Sequence, residues 1–326
     1  MTSAGPRRRT LDVPDLVARL ERGEARSVAR LISLVEDASP ALREVMALLA
    51  PRAGHARVIG LTGSPGVGKS TSTSALVAAY RRRGMRVGVL AVDPSSPFSG
   101  GALLGDSVRM QEHATDDGVF IRSMASRGHL GGLSWATPQA LRVLSAAGCD
   151  VVLVETVGVG QAEVEVASLA DTTLVLLAPG MGDGIQAAKA GILEVADLFV
   201  VNKADRDGAD TVVRDLRYML SLGDRRADEG WRVPILKTVA AKGEGADEVV
   251  EAVERHGAWL AETGRLVERR RRRAADEVEA IALTALRERI GDLRGSESLG
   301  RLADRVVHGE LDPYAAADEL VSGLTA

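Results

Sequence analysis

Residues 63–70 read Gly63-Ser64-Pro65-Gly66-Val67-Gly68-Lys69-Ser70, with Thr71 following. The pattern G-x-x-x-x-G-K-[ST] is a phosphate cradle: loop N–H groups and the positive end of a following helix suit a polyphosphate anion. Lys69 would reach the β- and γ-phosphates, and the Ser70 hydroxyl would ligate Mg²⁺. Gly63, Gly66 and Gly68 permit close approach of backbone to phosphate. Far downstream stands Asn202-Lys203-Ala204-Asp205. The Asp carboxylate can accept from the N1–H and exocyclic amine of guanine. Adenine offers no such donor pair and would leave the charge unpaired. The stem of Lys203 can lie along the base, and Asn202 can tie the segment to the phosphate loop. Alone, an N-K-x-D tetrapeptide could be a polar turn; behind a phosphate loop it reads guanine. Together the two motifs imply a GTP-binding protein and leave open what the nucleotide is used for.

Three acids compete for the metal and the attacking water. Asp93 ends an apolar run and opens Asp93-Pro94-Ser95-Ser96-Pro97. Asp106 lies beyond that loop, where a plain solvated acid is the rival reading. Glu155 follows Val151-Val152-Leu153-Val154 and leads into Thr156-Val157-Gly158-Val159-Gly160-Gln161. A strand-end acid holds Mg²⁺ or its water shell in phosphate-loop enzymes. Asp93 and Glu155, with Lys69, are therefore the candidate catalytic groups. Gly158 is placed to feel the γ-phosphate, and Gln161 is a water-orienting candidate by position only. The stretch from Pro179 to Gln186 is glycine-rich and runs into a helix carrying Lys189. It reads either as a strand-to-helix loop or as a movable segment, with Asp183, Gln186 and Lys189, that reports nucleotide state to a partner.

Elements that could position these residues alternate along the chain. Short apolar runs at Val58–Thr62, Val87–Val92, Val119–Ile121, Val151–Val154, Thr173–Leu177, Leu198–Val201 and Val233–Leu236 are separated by helical or loop segments. That alternation predicts an α/β fold with a doubly wound, mostly parallel sheet. Two or three helices are expected ahead of it, in residues 1–55, with the nucleotide domain over 56–246. After that the strands stop, and charged helical patterns over 247–260, 265–290 and 298–324 form a C-terminal helical extension, 247–326. Leu266, Val278, Ile281, Leu283 and Leu286 mark an apolar stripe that could face its own domain or a second subunit.

Bulk composition fits this plan. In 326 residues, 45% are hydrophobic and only 3% aromatic, so the core is built from Val, Leu, Ile and Ala. A net charge of −4 gives no reason to expect nucleic-acid binding. The clusters Arg81-Arg82-Arg83 and Arg269 to Arg273 read as solvated helix faces, with a partner or anionic-ligand contact as the rival reading. Cys149 is the only cysteine, expected as an inert, partly buried thiol. No apolar run reaches spanning length and no apolar leader opens the chain, so the expectation is a cytoplasmic protein that engages no membrane.

Five stretches go beyond a generic GTPase: LTGSPGVGKST, VDPSSPFSGGALLGDSVRM, VETVGVGQAEVEVA, APGMGDGIQAAKAGILEVAD and VNKAD. Over roughly residues 55–245 the chain resembles the MeaB-like G-protein chaperones of adenosylcobalamin-dependent acyl-CoA mutases, labelled ArgK or LAO/AO transport ATPases in older naming. The resemblance implies a SIMIBI-class P-loop GTPase that forms a homodimer through its C-terminal extension. It implies GTP/GDP and Mg²⁺ as cofactors, and a role gating cofactor loading and protection of methylmalonyl-CoA mutase. Carried over, Lys69 and Ser70 bind phosphate and Mg²⁺; Asp93, Asp106 and Glu155 are the metal-associated acids; Asn202 and Asp205 bind guanine. Val239-Ala240-Ala241 matches the loop backing the base, with Val239 where a serine is often found. Residues 180–189 match a further switch that couples to the mutase.

The functional expectation is a slow GTPase, hydrolysing GTP to GDP and phosphate, whose cycle gates a mutase and is quickened by it. A GTP- or ATP-dependent kinase is the alternative, for which no acceptor pocket is legible. A nickel-delivering GTPase ranks last, because five scattered His and one Cys make no ligand cluster.

Overall fold

The computed structural model describes residues 11–93, 110–113, 115–125, 136–156, 162–180, 193–222, 230–290 and 297–325. The chain divides into a large unit that ends at Arg270 and a small one that begins at Arg271.

Among the described residues the large unit holds one seven-stranded sheet, ordered β3-β2-β4-β1-β5-β6-β7. The strands are β1 Arg57–Thr62, β2 Val87–Asp93, β3 Val119–Ala125, β4 Val151–Thr156, β5 Thr172–Leu177, β6 Leu198–Val201 and β7 Ile235–Lys237. Each neighbouring pair is parallel, as the uninterrupted Val/Leu/Ile runs predict for strands covered on both faces. The last strand is set slightly later than its apolar run suggested. β1 sits between β4 and β5, with Ile59 opposite both Leu153 and Thr172. The chain turns from one side of β1 to the other there, which makes the carboxyl ends of these strands the natural ligand crevice.

Alternate residues of each strand enter opposite cores. On one face, Val58, Val152 and Val154 pack with Leu20, Leu31 and Leu49 of the helices α1 Val13–Glu21, α2 Ala25–Glu36 and α3 Leu42–Leu49. Leu144 of α5 Thr137–Ala146 and Val166 of α6 Ala162–Leu169 complete that layer. The three leading helices thus belong to the same core as the sheet. On the other face, Leu61, Leu153 and Leu174 meet Val77 and Tyr80 of α4 Lys69–Arg82. Val249, Val250 and Val253 of α8 Ala246–Glu262 join the same cluster, so the first helix after the strands packs on the sheet unit. Helix α7 Ala209–Leu222 covers Phe199 and Val201 of β6.

Helix α9 Arg265–Ile290 leads from the large unit into the small one. Val278, Ile281, Leu283 and Leu286 of its expected stripe are exposed. The helical pattern over 298–324 resolves into two helices, α10 Glu297–Val307 and α11 Pro313–Thr325. Gly309, at φ 71°, ends the first. Asp312 starts the second, its Oδ1 accepting from the Tyr314 N–H at 2.8 Å and the Ala315 N–H at 3.1 Å, with Pro313 in the opening turn. Among the described residues no helix is long and apolar enough to cross a membrane.

Candidate functional site

The loop 63–68 leaves β1 and closes onto α4, whose first residue is Lys69. Gly63 (φ 142°) and Gly68 (φ 94°) adopt conformations that side chains rarely tolerate. A Cβ at Gly63 would strike the Leu176 carbonyl of β5, and one at Gly68 would strike the Asn202 amide. These two positions set how tightly the loop folds over the sheet.

Lys69 is buried, and its ammonium donates to the carbonyls of Gly63 (2.7 Å) and Ser64 (3.2 Å). It therefore lies inside the loop. One residue on, the Ser70 hydroxyl donates to Glu155 Oε1 at 2.6 Å. Glu155 stands near the end of β4 and is only 2% exposed. Its Oε2 lies 2.9 Å from the Thr73 hydroxyl, a contact the sequence motifs did not single out.

Asn202 follows β6 and is buried. Its Nδ2 donates to the Val67 carbonyl at 2.9 Å, while its Oδ1 accepts from the Ala240 N–H (3.0 Å) and the Thr238 hydroxyl (3.2 Å). One side chain thereby joins the glycine loop to the loop 238–241. Lys203 takes φ 56°, uncommon for a residue with a side chain, and its ammonium donates to the Gly66 carbonyl at 2.7 Å. The Ala204 N–H donates to the Thr238 carbonyl, at 3.0 Å. Asp205 comes next with its carboxylate half-exposed, 4.0 Å from Lys242 Nζ. Ala240 opens a short 3₁₀ turn, Ala240–Lys242, braced by the Val239–Glu244 bridge.

The structure thus brings residues 63–71, Glu155, Asn202, Lys203, Asp205 and the segment 239–241 to one end of the sheet. Asp93 ends β2 at the same edge. Asp106, Gly158, Gln161, Asp183, Gln186 and Lys189 lie outside the described residues. A buried hydroxyl beside a carboxylate is an all-oxygen donor set, the kind Mg²⁺ accepts. Among the described residues no three His, Cys, Asp or Glu cluster as metal ligands.

The other end of the sheet corrects one expectation. Arg269 and Arg270, expected on a solvated face, fork onto buried carboxylates. Arg269 donates to both oxygens of Asp197, each at 2.9 Å. Arg270 donates to Asp171 at 3.2 and 2.8 Å and also to the carbonyls of Gly54 and Ala56. Asp171 and Asp197 stand at the starts of β5 and β6, where they cap the Val58 and Thr173 N–H groups. The signal was an acid immediately before each strand. Arg81 likewise forks onto Asp116, and that pairing holds the Asp116 carboxyl below its ordinary pKa. Cys149 is buried as expected; desolvation pushes its thiol up to about 12.

The family described as methylmalonyl Co-A mutase-associated GTPase MeaB matches residues 28–293. A Pyrococcus horikoshii protein named as a GTPase is 47% identical over 310 residues, 94% of this chain and 96% of its own. GTPase ArgK of Escherichia coli is 40% identical over 268 residues, 80% of each chain. The mitochondrial methylmalonic aciduria type A homolog of Mus musculus is 36% identical over 274 residues, 79% of this chain and 66% of its own. A solved structure described as a LAO/AO transport system kinase superposes with TM-score 0.72 at 28% identity, covering 99% of this chain and 100% of that one.

Proposed function

We propose, since the chain belongs to the MeaB family of methylmalonyl Co-A mutase-associated GTPases, that it is the nucleotide-driven chaperone of an adenosylcobalamin-dependent acyl-CoA mutase. Its GTP cycle would gate loading and protection of the mutase cofactor. The observation that carries the reading is the Asn202 side chain, which bonds the phosphate loop at Val67 and the loop behind the base at Ala240. A site so braced ties what happens at the phosphates to what happens at the base.

The roles follow from the chain's own groups. Lys69 would leave the Gly63 and Ser64 carbonyls to meet the β- and γ-phosphates, since a phosphate is a stronger acceptor than a carbonyl. Asp205, half-exposed beside Lys242, would take the N1–H and amine of guanine. Ser70 would hold Mg²⁺, with Glu155, Asp93 and Asp106 placed around its water shell. The metal would supply charge neutralisation across the phosphates. Intrinsic turnover is proposed to be slow and raised by the mutase. The exposed apolar residues of α9 are proposed to meet the same face of a second copy.

The test is hydrolysis and capture together. The full chain with a non-hydrolysable GTP analogue should retain an acyl-CoA mutase, and adding that mutase should speed GTP hydrolysis. Fast hydrolysis by the chain alone, indifferent to the mutase, would count against the reading. A kinase remains the second reading, because one similar structure carries that description. Label from γ-labelled GTP appearing on an acceptor, and not as free phosphate, would favour it.

A further inference from the structure

Helix α4 opens with five hydroxyl residues in a row, Ser70 to Ser74. Ser and Thr are mediocre helix residues, since their hydroxyls compete for backbone groups and Thr loses rotamer freedom. Thr73 is wholly buried, where an alkyl side chain of the same shape would bring no polar atom to satisfy. Its one hydroxyl proton has two acceptors within reach, and the carboxylate, the stronger acceptor, takes it in preference to a helix carbonyl. Oγ1 lies 2.9 Å from Glu155 Oε2 and 3.0 Å from the Lys69 carbonyl. Ser70, three residues earlier on the same helix face, holds the other carboxylate oxygen at 2.6 Å.

We propose that Thr73 is a positioning residue for the metal-dependent step of this GTPase. The inference rests on the reading of Ser70 as the Mg²⁺ ligand. Two anchors one helical turn apart fix both the place and the rotation of the Glu155 carboxylate. So fixed, Oε1 receives the Ser70 proton, and a hydroxyl whose proton is committed has only lone pairs to offer a cation. Without Thr73, Oε2 loses the hydroxyl that holds it from the same helix face as Ser70, and the carboxylate is less firmly set against Ser70. The Ser70 hydroxyl then no longer presents one orientation. Groups that orient a metal ligand from behind matter to affinity at about the 10–100-fold level when removed.

The experiment compares the affinity of a fluorescent GDP analogue for the full chain in Mg²⁺ and in EDTA. The wild type should bind more tightly with Mg²⁺. In Thr73→Val that advantage should shrink about tenfold while the affinity in EDTA is kept. Thr73→Ser should restore it, because it returns the hydroxyl. Thr73→Ala, smaller and free of overpacking, serves if the valine variant does not fold. A purely structural Thr73 would lower the thermal midpoint in Val and Ala and leave the Mg²⁺-to-EDTA ratio at the wild-type value; that result overturns the proposal alone. A wild type indifferent to Mg²⁺ would overturn the Ser70 reading and the proposal with it.

Discussion

Both ends of the sheet bury carboxylates, and they hold them by different chemistry. At the carboxyl ends, Glu155 is gripped by the hydroxyls of Ser70 and Thr73. At the amino ends, Asp171 and Asp197 are gripped by guanidinium forks from Arg270 and Arg269, and strand amides donate to them as well. A fork fixes geometry and cancels charge together, and its planar donors are not easily exchanged. Hydroxyls fix geometry without bringing a charge of their own. The two lysines of the carboxyl end follow the same logic, resting on the Gly63, Ser64 and Gly66 carbonyls, partners that a phosphate can displace. Burial of an acid therefore does not mark function by itself; the kind of partner separates the end proposed to exchange ligands from the end that holds still.

The sharpest way to break that contrast is Lys69→Ala. If the ammonium only rests in the loop, removing it should cost about 10²–10³-fold in GTP turnover, roughly 3–4 kcal/mol of transition-state stabilisation. The urea midpoint should stay near wild type. A large fall in that midpoint would show the lysine to be a structural prop, like the arginines. The mirror experiment is Asp197→Ala, which removes the buried carboxylate that Arg269 forks onto and leaves the Thr173 N–H without its cap. Breaking such a pair from one side costs about 3 kcal/mol. Urea unfolding should record that loss, while GTP affinity of the folded fraction stays put. A variant equally stable but unable to bind GTP would sink the division between the two ends.

The carboxyl end was legible in the sequence and the amino end was not, for a physical reason. A phosphate cradle needs glycines and a lysine at fixed spacing, so residues 63–70 announce themselves. Asn202 was placed at the end of its strand and given its tie to the loop from its motif alone. Glu155 was found from its position after an apolar strand. Its partner Thr73 was hidden, because a threonine inside a helix carries no spacing of its own; only the run of five hydroxyls hinted at it. The forks of Arg269 and Arg270 were read as solvent-facing, since a charged helix pattern does not reveal which carboxylates lie opposite. Asp171 and Asp197 are far from them in sequence, and pairing across such distances is set by the packed sheet. Helical periodicity runs across Gly309, and only the glycine and the Asp312-Pro313 pair beside it mark the break.

A smaller effect tests whether Asp205 acts as a reader. Asp205→Asn keeps the shape and removes the carboxylate that would accept from the N1–H and amine of guanine. The preference for GTP over ATP should drop by about 2 kcal/mol, near 30-fold. Competition binding with both nucleotides measures it. Because the side chain is half-exposed and its only described ion pair, to Lys242, is long, stability should hardly change. A stability loss larger than the change in preference would place Asp205 with the structural acids.

The smallest effect concerns Cys149, at the entrance to β4 and so at the quiet end of the sheet. Its thiol is buried against Gly88, and burial raises its pKa from an ordinary 9.0 to about 12. The folded protein therefore keeps this proton at pH values where the unfolded chain has released it. Below about pH 9 both states hold the proton and stability does not respond to this group. As pH rises from there towards about 12, the unfolded state binds fewer protons, and stability falls by at most about 1.4 kcal/mol per unit. Urea midpoints of wild type and Cys149→Ala should then converge as the pH is raised through about 9 to 10. A thiol reagent at about pH 8 should label Cys149 only after unfolding, because the thiolate is the reactive form. Rapid labelling of the native protein would mean that water reaches the start of β4. The forks at Asp171 and Asp197 would then be bracing an end of the sheet that opens, and the contrast with the nucleotide end would fail where it is most easily measured.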